Sequence, residues 1–155
     1  MAVMRALVLL FLVFSVQNAA AKKKCPRGWK PFGVQCYKFY SHAVNWVTAE
    51  KNCQSVGANL ASVHNTAENN FLLSMLVSVG TRVWIGGHDG EIEGQWLWSD
   101  GSQFDLTNWC PGEPNNNKNK NPENCVEINF SNNRCWNDAP CSITMNYICA
   151  KPKRS

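Results

Sequence analysis

Glu113-Pro114-Asn115, followed by Glu123-Asn124-Cys125 and then by Trp136-Asn137-Asp138, is the stretch on which the reading of this chain turns. These three segments bring three carboxylates and three side-chain amides into residues 113–138, with proline, tryptophan and cysteine beside them to hold them in place. A lone acidic residue in a loop is usually a solvated charge. Three oxygen-rich segments in one short window point instead to a hard cation. Ca²⁺ takes about six to eight oxygen ligands at roughly 2.3–2.6 Å and tolerates irregular geometry.

Outward from that window the chain reads as a small secreted domain. Arg5, the apolar run Ala6–Phe14 and the small residues Ala19-Ala20-Ala21 have the pattern of a signal peptide, residues 1–21, with cleavage after Ala20 or Ala21 equally compatible. That run is too short to span a bilayer. Residues 22–155 then have the size of one domain, which we expect to be secreted and extracellular, without membrane insertion. All eight cysteines fall in it, and an even count in a short secreted chain reads as a disulfide framework. Zinc is the competing reading, but the paired ligand spacings that zinc uses are missing. His42, His64 and His88 show no metal spacing either. The net charge of +4 gathers at the two ends, in Lys22-Lys23-Lys24 and in Lys151, Lys153 and Arg154. These read as solvated tails, with a patch for anionic surfaces as the alternative. No nucleic-acid-binding pattern, phosphate loop or nucleophile elbow is present.

The elements before the window are scaffold. Residues 25–40 read as a β-hairpin punctuated by Pro26, Pro31 and Gly33. A helical period over 42–56 places Val44, Trp46, Val47, Ala49 and Cys53 near one face and stops at Gly57. A second helix is expected from Thr66, as N-cap, to Val79, with Phe71, Leu72, Met75 and Leu76 as its apolar stripe. Val83–Gly86 and Gln95–Trp98 read as buried strands, and short strands follow at 125–129, 134–137 and 146–150. Between Gly101 and Pro122 no periodicity survives, which in a compact domain marks a functional or disordered loop. The fold class is therefore α+β. Asn129-Phe130-Ser131 is a glycosylation sequon that offers Asn129 for modification.

The three segments, with Trp84-Ile85-Gly86 upstream and Cys141 and Cys149 downstream, resemble a C-type lectin carbohydrate-recognition domain from Cys25 to about Lys151. The resemblance implies two helices with short antiparallel strands and a long calcium-binding loop. It implies disulfides Cys25–Cys36, Cys53–Cys149 and Cys125–Cys141, a choice that spacing alone cannot make among on the order of a hundred connectivities. Cys110 and Cys135 are left over; we expect them to bond within the chain around the loop, the rival being a bridge between two chains in a homo-oligomer. That extra pair resembles fish members of the family, soluble lectins and type II antifreeze proteins. A further antifreeze disulfide has Gly90 and Asn124 at its positions here, which favours lectin over ice binding.

Carried over residue by residue, the Ca²⁺ ligands are Glu113, Asn115, Glu123, Asn137 and Asp138, with Pro114 in a cis peptide. Of these, Glu113, Asn115, Glu123 and Asn137 also meet the sugar. A metal-bound carboxylate can still accept from a hydroxyl, and an amide bound through oxygen can still donate through nitrogen. In the family, Glu-Pro-Asn goes with mannose-type sugars, so the expected partners are mannose-type glycans on microbes or cell surfaces, met in innate defence. Asp89, Glu93, Asn116 and Asn124 correspond to auxiliary calcium ligands in some members. Glu113 and Glu123 could alternatively be a glycosidase pair, but they stand among amides suited to metal, so no enzyme is expected. An ice-binding protein on the same fold is the alternative function, disfavoured by Lys118 and Lys120 beside the site.

Overall fold

The computed structural model describes residues 22–117 and 121–154. The signal-peptide segment 1–21, and Lys118 and Lys120, lie outside the described residues. The elements run β1 (Lys30–Phe32), β2 (Gln35–Val44), α1 (Trp46–Ser55), β3 (Asn59–Leu60), α2 (Thr66–Ser74), β4 (Val83–His88), β5 (Leu97–Trp98), β6 (Cys125–Phe130), β7 (Cys135–Ala139) and β8 (Met145–Pro152). The sheet order is β1-β2-β8-β4-β6-β7, with β3 added on β8 and β5 on β4. Pairing is antiparallel except between β4 and β8, which run parallel.

Alternation along the central strands builds two cores, one on each face of the sheet. Val83 and Ile85 of β4, Val126 and Ile128 of β6 and Ile148 of β8 pack with Leu72, Met75 and Leu76 of the α2 segment. Trp84, Tyr147 and Cys149 pack on the other face with Ala49 and Cys53 of α1. Four disulfides join Cys25 to Cys36, Cys53 to Cys149, Cys110 to Cys135 and Cys125 to Cys141. The second ties α1 to the last strand. The third and fourth clamp the two ends of the functional window.

Several boundaries differ from the sequence reading, each for a local reason. The first helix starts at Trp46, not 42, because residues 35–44 extend β2 along β8 as far as Val44↔Met145. Val47, expected on its buried face, is 51% exposed. Both helices are capped by asparagine: Asn45 Oδ1 accepts from Thr48 N and Asn65 Oδ1 from Glu68 N. Asn65, not Thr66, therefore caps α2. That helix ends at Ser74, and Met75 and Leu76 reach the core from the turn beyond it. Only Leu97 and Trp98 of the expected 95–98 strand pair with β4.

The sequon is the clearest departure. Asn129 is fully buried at φ +64. Its amide donates to the carbonyls of Ser78 (3.0 Å) and Thr81 (2.8 Å) and accepts from Arg134 Nε at 2.7 Å. A glycan on that nitrogen has no room, so the side chain serves the β6–β7 turn instead.

Candidate functional site

The site is built on the loop between β5 and β6, and the chain holds that loop at both ends. At its start, Trp109 bridges to Trp136 in parallel. Cys110 N donates to Trp136 O and Trp136 N to Asn108 O, both at 2.8 Å. Beneath lies an aromatic floor in which Trp136 meets Trp98 and Trp109 edge-on, with centroids 5.7 and 5.8 Å apart. The indole Nε1 of Trp136 is satisfied by Asn69 of α2 at 2.8 Å. At the loop's far end β6 begins, with Cys125 bonded to Cys141. The Glu113–Pro114 bond is cis.

Asp138 of β7 is the hub of the proposed ligands. It is fully buried, and its two oxygens accept from the backbone N–H groups of Asn115 (3.1 Å) and Asn116 (2.7 Å). Asn115 Nδ2 donates to Glu113 Oε1 at 3.0 Å. Glu123 Oε2 accepts from Asn117 N at 2.9 Å, and Glu123 N donates to Asn116 Oδ1 at 3.0 Å. These contacts gather Glu113, Asn115, Asn116, Glu123 and Asp138 into one network. Asn137 is adjacent in sequence but bonded elsewhere: its Nδ2 donates to Glu127 Oε1 at 2.6 Å.

Electrostatically the network is short of positive charge. Glu113 is pushed up to about 7, first by burial, then by the facing Asp138 carboxyl and by Glu123. Among the described residues its Oε2 is buried without a hydrogen-bond partner. A carboxylate oxygen left bare among like charges is a place where a cation fits, and the donor set of carboxylate and amide oxygens suits Ca²⁺. Among the described residues no three His, Cys, Asp or Glu side chains form a metal cluster by themselves, so the amide oxygens are needed to complete a ligand set.

The auxiliary residues show the same character in part. Asp89 is 1% exposed. Its Oδ2 accepts from Gly94 N at 2.8 Å, and among the described residues its Oδ1 is buried without a partner. Burial is the main cause that raises its pKa, and Asp138 adds to the rise. Asn124 meets Asp89 through its backbone carbonyl (3.1 Å), and Glu93 is exposed.

Two residues here escaped the sequence reading. Glu127 stands in β6 opposite Asn137 of β7 and is fully buried. Arg82 holds it with two bonds, Nε to Oε2 and Nη2 to Oε1. The pair fixes which way the Asn137 amide faces: its nitrogen is turned to Glu127. The available signal was a lone acid at an inward position of a buried strand, with an arginine just before its neighbour β4.

The Lectin C-type domain family model matches residues 42–151. The chain is 40% identical over 152 residues to the galactose-specific lectin nattectin of Thalassophryne nattereri, covering 93% of this chain and 94% of that one. The structure of herring type II antifreeze protein matches with a TM-score of 0.78 at 35% identity, covering 84% of this chain and 100% of that one. The cow carbohydrate-recognition domain of CD23, solved in the presence of a GlcNAc2Man3 oligosaccharide, matches with a TM-score of 0.77 at 34% identity, covering 86% and 99%.

Proposed function

The chain belongs to the C-type lectin domain family, and from that premise we propose that it is a secreted, calcium-dependent lectin of mannose-type specificity that recognises microbial or cell-surface glycans in innate defence. The family binds carbohydrate without catalysis, and the chain is not an enzyme. The observation that carries the calcium reading is the bare, buried Glu113 Oε2 in a crowd of carboxylates.

Glu113, Asn115, Glu123, Asn137 and Asp138 would hold the ion, and Asp89, Glu93, Asn116 and Asn124 an auxiliary one. Bound Ca²⁺ would supply a hard centre for two vicinal sugar hydroxyls. The chain's own part is to order donors and acceptors round that pair. Asn115 Nδ2 is already turned toward Glu113, so carboxylate and amide alternate as a hydroxyl pair requires. Asp138, anchored by two backbone N–H groups, keeps the loop seated on β7.

Mannose-type selectivity rests on Glu113-Pro114-Asn115 and on the mannose-containing oligosaccharide of the cow domain. Nattectin's description as galactose-specific supports galactose as a second reading, and the herring protein's supports ice binding. A mannose-agarose column loaded in calcium and eluted with EDTA tests all three. Retention released by chelator, and competed by mannose better than by galactose, is the expected result. Galactose as the better competitor overturns the selectivity, and ice shaping without sugar retention overturns the lectin reading.

A further inference from the structure

Charge is segregated in this molecule. All eleven acidic residues lie between Glu50 and Asp138, so the terminal segments 22–49 and 139–155 contain none. Those two segments are where the basic residues concentrate, and the fold brings them together. Lys24 and Arg154 pair in an antiparallel bridge, through N–O contacts of 3.0 and 3.3 Å. Lys153 N donates to the carbonyl of Val34 at the β1–β2 turn (3.0 Å). In the β2–β8 register Cys36 faces Lys151 and Lys38 faces Cys149, which sets Lys38 and Lys151 diagonally on one face of the sheet. Of the ends that read as solvated tails in the sequence, Lys24 and Arg154 are thus bridged to each other and Lys151 lies in β8, so their backbones are held side by side.

The array is built, not merely crowded. Lys151 Nζ sits 4.2 Å from the centroid of the Trp29 ring and donates to Val56 O at 2.9 Å. A cleft of about 330 Å³ opens between Trp29, Pro31, Lys24 and Lys153. Among the described residues, none of these lysines, nor Arg27 or Arg154, pairs with a carboxylate. Like charges also crowd it: the Lys151 ammonium is lowered first by burial and then by Arg154 and Lys38. Unneutralised like charge held this close costs the fold stability and suits it to a polyanion.

We propose that this margin, formed by the N-terminal arm, β2 and the end of β8, is a second glycan-binding surface that takes a sulfated polysaccharide, independently of calcium. From Lys38, opposite Cys149, to Arg154 the array runs about 17 Å along the end of β8 and the two residues after it, long enough to follow an extended chain. Single-stranded nucleic acid needs aromatic faces for its bases, and the face of Trp29 is covered by Lys151. An anionic bilayer needs an apolar wedge besides charge, and Val34 and Val56 project there singly. A linear chain of sulfo groups asks only for spaced cations. The carboxylates at the other site would repel such a chain, so the two surfaces sort glycans by charge.

Heparin serves as the probe, on a column run in EDTA so that the calcium site contributes nothing and the two readings fail separately. The wild-type protein is expected to be retained at low salt and released by about 0.5 M NaCl. Desulfated heparin should not retain it. Lys24→Glu with Lys153→Glu and Arg154→Glu should weaken binding about 100-fold, while Lys24→Arg with Lys153→Arg keeps it. Near-UV circular dichroism checks that each variant is folded, and Lys→Gln versions replace any that is not. Flow-through of the wild type, retention of the triple variant, or equal binding to single-stranded DNA or to phosphatidylserine vesicles overturns the proposal.

Discussion

Replacing Arg82 should destabilise this protein more than replacing Glu127, although the two residues share the same pair of hydrogen bonds. The asymmetry follows from burial: the arginine side chain is 42% exposed and the glutamate 0%. In Glu127→Gln the arginine can turn into water, and an amide oxygen remains for Asn137. The loss is then that of charge-assisted hydrogen bonding, about 1.5–3 kcal/mol. In Arg82→Met a carboxylate stays buried with only Asn137 Nδ2 as donor. Removing one partner of a buried pair in this way costs about 3–5 kcal/mol. Arg82→Met with Glu127→Gln removes both charges and should cost less than the sum of the singles by about 2–3 kcal/mol. Urea unfolding in EDTA at neutral pH, with unchanged slopes, gives all three values. If Glu127→Gln proves as costly as Arg82→Met, or the two changes simply add, the reasoning from burial is wrong.

Three other outcomes follow from the coordinates. Because Glu113 is raised from 4.5 to about 7, the folded metal-free protein keeps its proton where the unfolded chain has lost it. Stability in EDTA should therefore fall as pH rises between those values; denaturation midpoints across the window check this, and Glu113→Gln should flatten the slope. Gly87→Ala would set a Cβ 2.4 Å from Val126 Cγ2 and should cost about 1–3 kcal/mol. Gly90→Ala, with nothing within 4 Å, should be near neutral in the same melt. Cys110→Ser with Cys135→Ser opens a loop of sequence separation 25, worth about 3–4 kcal/mol in the chain-entropy model. Calorimetry should show weaker calcium binding in that variant without any change in oligomeric state.

Much of this architecture was legible because it rests on local rules. Val83-Trp84-Ile85-Gly86 is an unbroken apolar run, as a strand buried on both faces must be, and Gly86 is required where a Cβ would lie 2.7 Å from Leu60 O. The segments Glu113–Asn115, Glu123–Cys125 and Trp136–Asp138 announced themselves by composition. What stayed hidden depends on partners distant in sequence. Residues 42–44 carry a helical pattern, yet β8, a hundred residues away, claims Val44 as strand. Glu50 looks like a helix-surface acid, but it is buried, accepting from Asn59 Nδ2 (2.6 Å), Leu60 N (2.8 Å) and Ser99 Oγ (2.9 Å). Arg82 and Glu127 are separated by 45 positions, and no periodicity marks either as a companion of Asn137.

The buried Asn129 sets a race in any cell that attaches glycans to nascent chains. Its sequon can be used only while the β6–β7 turn is open, because closure commits the amide to Ser78, Thr81 and Arg134. A chain modified first could not complete that turn, and Arg134, which also donates to Leu73 O (2.8 Å), would lose its seat against the end of α2. Expression in a glycosylating host should therefore divide the product into a folded, unmodified form and a modified form that quality control retains. The same chain with Ser131 replaced by alanine has no sequon to use, and its yield should no longer depend on the host's glycosylation.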